Sequence, residues 1–457
     1  MRLPSIIALG LLAFTAPTDA QTSCGPRVRR NWDALSDTDK NTYNSALALA
    51  MDSGAYIKFV KIHQEHMSSM EAHKQCMFIY WHRYFLVAFE NMLRAQGDEY
   101  ACVTLPYYNW MDAYSRQLDG KCSSYGDCAA ITSELGGFSG STKTVKINSD
   151  TVQGTCVNEW PLNHFCQSST PGTDCSGCLP RGDWGSTSMN ALTGFASVQG
   201  QIFDEKNITG VSHSIEVESH AAVHNDLSAT MVTMASPADP IFWSHHSMVD
   251  ALHTIFHKCR VGTQRMTFEE KAANPVAWES CKRRDEGVFN PTDVVAVRTG
   301  TNANPVNATQ DSVVDQFFQD VPNRFADLMD VRDLGEFSYS YELSGHLASM
   351  YTNCDGSSPA TSAPVATTNA PSPTTNSPQP TTTALASTTA TPKAPTNTPG
   401  SSTDSPAPTT TSPPTTPTTT SPPATEIPSV PVLPQTTTPS TDGLNNQQLQ
   451  DAQRFFQ

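Results

Sequence analysis

The sequence predicts a mainly α-helical domain with long disulfide-stapled loops, followed by a low-complexity tail. Three observations lead to this prediction. Apolar residues recur at helical spacing in several histidine-bearing segments, whereas residues 112–212 are dominated by Gly, Ser, Thr and Cys. The composition then changes abruptly after Cys354. Residues 21–354 are long enough to form one large domain with a buried core.

The helices are predicted from runs of apolar residues with the period of an α-helix. Three runs show this period: Tyr56, Phe59, Val60 and His63; Leu86, Phe89, Glu90 and Leu93; and Met248, Val249, Leu252, Ile255 and Phe256. The second run follows His82 and the third follows His246, so we expect helices that begin near these two histidines. Residues 112–212 look different and are predicted to be long loops stapled by disulfides.

The first twenty residues have the layout of a signal peptide. Met1-Arg2 precedes an apolar run from Ile6 to Phe14, and small residues near Ala20 suggest cleavage there. The run is too short to cross a bilayer, although an N-terminal anchor is the alternative. No other stretch reaches about 18 uninterrupted apolar residues, so we expect a soluble, secreted protein without a transmembrane segment.

The cysteines also indicate an oxidising, extracellular compartment. Twelve cysteines lie between Cys24 and Cys354, and an even number in a secreted chain predicts disulfides. The sequence leaves their pairing open. Cys175 and Cys178 have the spacing of half a zinc site, which is the alternative for those two residues.

The tail and the sequons predict modification on a secretory route. Residues 355–442 are nearly all Ser, Thr, Pro, Ala and Asn, which provide too few apolar groups to offset chain entropy. We expect a disordered, mucin-like stalk that is O-glycosylated and either associates with a cell wall or matrix or serves as a passive linker. Residues 443–457 have the spacing of a short amphipathic helix. Asn207 and Asn307 are the acceptor residues of two N-glycosylation sequons.

The net charge argues against one class of partner. The net charge is −16, and the sequence contains no lysine- or arginine-rich stripe, so electrostatic binding to nucleic acid is not expected. The acidity is interpreted as favouring solubility.

Six histidines in two distant clusters are the most informative residues. They are His63, His73 and His82, then His220, His224 and His246. Neutral imidazoles suit copper, and two such triads facing each other would hold two copper ions that bind dioxygen between them. Residues four apart lie on one helix face, which suits His220 and His224, but the pair His253 and His257 shows how weak that spacing is by itself.

The segment Ser236-Pro-Ala-Asp-Pro-Ile-Phe-Trp-Ser-His-His246 closely resembles the second copper motif of tyrosinases, catechol oxidases and haemocyanin oxygen-binding units, the type 3 copper family. In that family the second histidine of the doublet binds the metal, so the resemblance implies His246 rather than His245. His253 is expected to be a packed core histidine, with a ligand role as the alternative.

The first cluster resembles the other copper motif of the same family. Ala72-His73, Phe78-Ile-Tyr-Trp-His-Arg-Tyr-Phe-Leu86 and Phe89-Glu90 match the pattern in which two histidines lie nine apart and the latter opens a helix. His63 is preferred as the first ligand, and His66 is its competitor. The resemblance covers roughly residues 27–345 and implies an antiparallel four-helix bundle around a dinuclear copper site.

The resemblance also assigns residues around the copper ions. Glu216 corresponds to a carboxylate that holds a water near the copper and helps deprotonate a phenol, with Glu218 as its competitor. Ala221 stands where active monophenol hydroxylases often have Asn, so hydroxylation is in doubt. Thr233 falls at the gate over the coppers, and Phe242 is expected to stack beneath the site.

Further expectations concern supporting contacts. Arg83 and Asp250 look like groups that tie helices behind the ligands, through a salt bridge. Tyr339-Ser-Tyr341 resembles a family motif that pairs with an arginine near the domain start, which here is Arg29 or Arg30. Some relatives cross-link a cysteine to the second histidine of the first cluster. Here Cys76 is expected in a disulfide, with a thioether to His73, from Cys76 or a distant cysteine, as the alternative.

The resemblance implies a secreted oxidase that uses dioxygen to convert o-diphenols to o-quinones, with two copper ions per chain. Tyrosinases in the family also hydroxylate monophenols. Two alternatives remain at this point: a haemocyanin-like protein that binds dioxygen without catalysis, and a wall-associated protein that uses the copper fold as a scaffold.

Overall fold

The computed structural model describes residues 24–169, 174–278, 281–283, 287–301, 304–354 and 366–367, and these are mainly helical. The α-helices are α1 Asp37–Asp52, α2 Ala55–Gln64, α3 His66–Ala72, α4 Phe78–Arg94, α5 Trp110–Leu118, α6 Tyr125–Cys128, α7 Ala130–Glu134, α8 Phe195–Phe203, α9 Ile208–Ile215, α10 Ala221–Leu227, α11 Ile241–Arg260, α12 Phe268–Ala272, α13 Pro275–Trp278, α14 Asp315–Phe318 and α15 Gly345–Asn353. The strands are β1 Arg27–Arg29, β2 Ser141–Ile147, β3 Asp150–Val157, β4 Leu179–Arg181, β5 Arg298–Thr301, β6 Asn304–Asn307, β7 Tyr339–Leu343 and β8 Ala366–Thr367. A π-helical turn, Glu216–His220, joins α9 to α10. The predicted signal peptide, nearly all of the predicted tail, and residues 443–457 lie outside the described residues.

All three helices predicted from periodicity are present, as α2, α4 and α11. The predicted start of α4 is wrong by one turn, because the helix begins at Phe78 rather than at His82. The N–H of Trp81 already donates to the carbonyl of Met77 at 2.8 Å, so the helical hydrogen bonds are established before the histidine. His82 is thus inside a complete helical turn, which fixes its direction.

Helices α4 and α11 form the centre of the core. Nearly every side chain of both helices is buried, as expected for helices that are enclosed on all sides. The ring of Trp243 in α11 stacks on Phe89 of α4 with 3.5 Å between centroids, and Phe85 lies 4.9 Å from the same indole. This aromatic packing holds the two histidine-bearing helices against each other.

The prediction of long loops over residues 112–212 is wrong in part. This stretch contains the antiparallel sheet β2-β3-β4, in which Ser141 pairs with Cys156 and Ile147 with Asp150. The sheet is hard to predict because β2 buries only Val145 and Ile147 and exposes the rest of the strand. Helices α6, α7, α8 and α9 also begin within this stretch.

The prediction that disulfides staple the domain is confirmed, since all twelve cysteines are paired. The bonds are Cys24–Cys102, Cys76–Cys281, Cys122–Cys128, Cys156–Cys178, Cys166–Cys175 and Cys259–Cys354. Three of them lie within residues 112–212. The alternative of a zinc half-site at Cys175 and Cys178 is wrong, because each is bonded to a different cysteine.

Strand β1, near the domain start, pairs in parallel with β7, near its end. Arg27 lies opposite Tyr339, and Arg29 lies opposite Tyr341. Of the two candidate arginines, Arg29 makes the expected contact: its guanidinium lies 3.7 Å from the ring centre of Tyr339. Two residues of the segment predicted to be tail form β8, which extends this sheet antiparallel to β7.

Buried charges join these terminal strands to the core helices. Asp250 of α11 accepts hydrogen bonds from Arg83 Nε at 2.7 Å and from the hydroxyls of Tyr339 and Tyr341 at 2.7 and 2.6 Å. Burial alone would raise the pKa of Asp250, but the guanidinium groups of Arg83 and Arg29 and the two hydroxyls hold it below its usual value. The cluster around this carboxylate therefore links α4, α11 and the β1–β7 pair.

None of the helices in the described part of the chain is both long and apolar enough to span a bilayer.

Candidate metal centre

The structure brings His63, His73 and His82 together. His63 lies in the last turn of α2, His73 follows α3 directly, and His82 lies in α4; all three are buried. One ring nitrogen from each lies within 4.8 Å of the others. His66, the competitor of His63, is exposed and lies outside this group.

A second buried group contains His220, His224, His245 and His246. His220 ends the π-helical turn and His224 follows in α10, so their four-residue spacing places both rings on one face. A π-turn inside a helix is rare and is common at functional sites. Both histidines of the doublet lie in α11 and both are within reach, so proximity does not separate His246 from His245.

Backbone carbonyls fix the orientation of five of the predicted ligands. The Nδ1 hydrogen of each of these histidines is donated to one backbone carbonyl: His63 to Met234 at 2.8 Å, His73 to Ser69 at 3.0 Å, His82 to Phe78 at 2.8 Å, His220 to Glu216 at 3.0 Å and His224 to Met231 at 2.6 Å. A neutral imidazole that donates from Nδ1 has its lone pair on Nε2, which is the form that binds a metal. The Nε2 atoms of His63 and His82 have no hydrogen-bond partner among the described residues.

The rings are also held in the neutral form. Burial lowers the pKa of His63 to about 4 and that of His224 to about 3. For His82, His220 and His246 burial is again the main cause, and neighbouring imidazoles lower the pKa further. Buried, neutral, preoriented nitrogens are a donor set that fits copper.

The two groups face each other. The rings of His82 and His246 are nearly parallel, with 4.2 Å between centroids, and the Nε2 atoms of His224 and His246 are 3.4 Å apart. Phe242 lies against both groups, with its ring centre 4.1 Å from that of His246 and 5.3 Å from that of His63. Phe242 therefore lies beside both histidine groups, but its ring is tilted by 36° to that of His246 and edge-on to that of His63 rather than stacked on them.

One loop orients a histidine in each group. The carbonyl of Met231 holds His224 and that of Met234 holds His63, so the four residues 231–234 lie across both. Thr233, the predicted gate residue, is half-buried, and its hydroxyl donates to the Thr230 carbonyl at 3.0 Å. Sequence reasoning missed the two carbonyls, because a backbone acceptor leaves no signal in residue type.

Glu216, its competitor Glu218 and Ala221 lie in or directly after the π-helical turn that ends at His220. Glu216 is buried, and its Oε1 accepts from the backbone N–H of Lys74 at 2.7 Å, next to His73. Its competitor Glu218 is half-buried and turns toward Ser197, at 3.4 Å. Burial raises the pKa of Glu218, and the Ser197 hydroxyl opposes that change. Ala221 is fully buried in a small apolar cluster with Leu192 and Ala222.

The Arg83–Asp250 salt bridge expected from the sequence is present at 2.7 Å and is almost fully buried. Arg83 Nη1 also donates to the carbonyls of Leu328 and Met329, at 2.7 and 3.1 Å. Because Arg83 follows His82 and Asp250 lies one turn after His246, the pair ties together the two helices that carry these predicted ligands.

The structure also decides between the alternatives for His253 and Cys76. His253 is buried against Tyr80, with 5.2 Å between ring centres, and lies outside both histidine groups, as a core histidine would. The alternative of a thioether to His73 is wrong, because Cys76 is bonded to Cys281 and every other cysteine is also in a disulfide.

Known proteins similar to this chain were found by sequence and by structure. Residues 53–258 match the common central domain of tyrosinase. The chain is 28% identical over 275 residues to Tyrosinase P of Aspergillus terreus, covering 50% of this chain and 75% of that protein. It is 26% identical over 235 residues to a tyrosinase of Streptomyces glaucescens, covering 49% and 80%. A solved polyphenol oxidase variant from Thermothelomyces thermophila superposes with a TM-score of 0.45 at 16% identity, covering 70% of this chain and 89% of that one.

Proposed function

Because this chain belongs to the tyrosinase family of dinuclear copper oxidoreductases, we propose that it oxidises o-diphenols to o-quinones with dioxygen. Two diphenol molecules each give up two electrons and two protons, and one dioxygen takes up all four of each to form two waters. Monophenol hydroxylation is the lesser activity in this proposal, because the methyl group of Ala221 cannot hold a water where an amide would.

The observation that supports the proposal is the pair of facing histidine groups, with Nδ1 committed to carbonyls in five of the six predicted ligands. We propose His63, His73 and His82 for one copper ion and His220, His224 and His246 for the other. Bound copper would supply the electron exchange between dioxygen and the phenol. We further propose that the helices carrying these ligands form the four-helix bundle that the sequence predicts.

The surrounding side chains bind and orient the substrate in this proposal. Phe242 offers an apolar face beside both histidine groups, against which an aromatic ring packs. Glu216 is the proposed carboxylate for holding a water that accepts the phenol proton. Thr233 is small and, in the loop above the histidines, leaves the entrance open to a small phenol.

We also propose a secretory route, with residues 1–20 removed as a signal peptide and 21–354 as the catalytic domain. Six disulfides in the described residues support an oxidising compartment. Residues 355–442 are the proposed O-glycosylated stalk, and 443–457 a short C-terminal segment. Asn207 and Asn307 are the proposed attachment sites of N-glycans. Asn307 is exposed, and Asn207 is half-buried.

The test compares catechol and tyrosine oxidation by the copper-loaded protein, following oxygen consumption and quinone absorbance together. We expect rapid catechol turnover, slow tyrosine turnover, and loss of both after copper removal by a chelator. His82→Gln should abolish turnover, while His253→Gln serves as the matched control, since it alters a buried histidine of α11 outside both groups. Reversible oxygen binding without quinone would refute the oxidase and support a carrier.

A further inference from the structure

We propose that Glu216 is a positioning residue that holds the two histidine groups in register, using its main chain for one group and its side chain for the other. The proposal rests on the copper-oxidase function proposed above and assigns Glu216 a role separate from proton transfer. It concerns how well this chain retains copper at the first histidine group.

The contacts of Glu216 reach both groups. Its backbone carbonyl accepts the Nδ1 hydrogen of His220 at 3.0 Å, and its Oε1 accepts the backbone N–H of Lys74 at 2.7 Å. Lys74 follows His73 directly in the chain. Glu216 is only 1% exposed, whereas Lys74 is exposed, so the second contact is a part-buried hydrogen bond. Its acceptor is a carboxylate, and such a bond is stronger than one between neutral groups.

His73 requires this support more than its neighbours do. His63 and His82 lie inside helices, whereas His73 is the first residue after α3, in an extended conformation with φ −130° and ψ 149°. The chain then reverses at Lys74, whose φ of 57° places a non-glycine residue in the left-handed region. That conformation is disfavoured for a residue with a Cβ and persists only where surrounding contacts hold it.

A second contact from the same helix face supports the same segment. The hydroxyl of Ser212 donates to the carbonyl of Cys76 at 2.8 Å, and Ser212 is fully buried. Ser212 and Glu216 are four residues apart and so lie one above the other. The segment 73–77 is therefore attached to α9 and the π-turn at two points, one of which adjoins a proposed ligand.

The side chain of Glu216 can be altered in ways that separate reach from charge. Glu216→Gln keeps an oxygen acceptor at the same distance and removes the charge. Glu216→Asp keeps the charge but is one methylene shorter, so it does not reach the Lys74 N–H. Glu216→Ala removes both, and Glu218→Ala is the matched control because Glu218 lies on the same turn with its carboxylate toward Ser197.

The experiment measures copper per chain during titration of the holoprotein with a competing chelator, together with the melting temperature of each apoprotein. Wild type, Glu216→Gln and Glu218→Ala should release both ions at chelator concentrations within about threefold of one another. Glu216→Asp and Glu216→Ala should release one of the two ions at about 10- to 100-fold lower chelator concentration, the range observed when residues behind metal ligands are changed.

Three results would overturn the proposal. Early release by Glu216→Gln with normal retention by Glu216→Asp would show that charge is required, not reach. If the alanine variant does not fold, normal copper retention by Glu216→Asp would by itself contradict the proposal, because the shorter side chain does not reach the Lys74 N–H. Early release by Glu218→Ala would indicate general weakening of the helix. A wild type that holds two copper ions without oxidising catechol would refute the proposed function alone, because chelator release is read without substrate.

Discussion

Replacing Asp250 by Asn should destabilise the folded domain more than replacing almost any other single Asp or Glu by its amide. Asp250 is fully enclosed and accepts from Arg83, Tyr339 and Tyr341 at 2.6–2.7 Å, with Arg29 at 3.5 Å. The amide is nearly the same size, so the variant leaves the buried guanidinium of Arg29 paired with Glu90 and that of Arg83 bonded to the carbonyls of Leu328 and Met329, without the carboxylate that served both. Removing one partner of a buried ion pair typically costs about 3–5 kcal/mol.

For a domain of this length, that loss lowers the melting temperature by about 4–7 °C. Calorimetry of the apoprotein at neutral pH would measure it. Asp119→Asn is the control, because Asp119 pairs with Lys121 at 2.9 Å on the exposed surface, where an ion pair contributes about 1 kcal/mol or less. Equal melting temperatures for the two variants would refute the reasoning.

The effect of Asp250→Asn should also depend on pH, with a defined sign. The pKa of Asp250 is lower in the folded protein than in an unfolded chain, so its ionised form stabilises the fold above the ordinary carboxyl pKa of about 3.9. This contribution is lost as pH falls through the lowered folded value. The gap between wild type and Asp250→Asn should therefore be constant from pH 7 to 5 and shrink in stronger acid.

Three further predictions follow from the metal centre. The apoprotein should lose stability as pH falls from about 6.5 to 4, because the histidines of the unfolded state are protonated at higher pH than those of the folded state. His63, with a folded pKa of about 4, should account for about 3 kcal/mol of this loss. The loss is measured as a falling melting temperature, which copper loading offsets. His246→Gln should bind one copper per chain and His245→Gln two by metal analysis, and the reverse result would reassign the ligand. Ala221→Asn should raise tyrosine turnover about tenfold relative to catechol, or about 1.4 kcal/mol of barrier, and equal changes on both substrates would count against that position.

The sequence predicts well those parts of the site that depend on residue type. Helical periodicity located α2, α4 and α11, and the copper motifs selected the histidines that the fold brings together. The Arg83–Asp250 pair was also predictable, since opposite charges beside two ligands on neighbouring helices have few other partners available. These features depend on the chemistry of side chains, which the residue types specify directly.

Other features depend on geometry that residue type does not encode. The carbonyls of Met231 and Met234 would be present with any residue at those positions. The π-turn at Glu216–His220 and the left-handed backbone at Lys74 have no counterpart in the residue pattern. The sheet β2-β3-β4 was missed because its strands bury few apolar residues, which leaves a weak alternating pattern.

The arrangement of residues 231–234 sets a rule for redesigning the proposed entrance to the metal centre of this protein. Val232 is 37% exposed, and exchanging its side chain leaves the carbonyls that steady His63 and His224 unchanged, whereas the Thr233 hydroxyl itself holds this turn through Thr230 and Ala235. Inserting or deleting a residue in the same four positions moves one carbonyl relative to the other. Libraries that vary identity at 232 should therefore yield active enzymes, whereas libraries that vary loop length should yield mostly metal-poor protein.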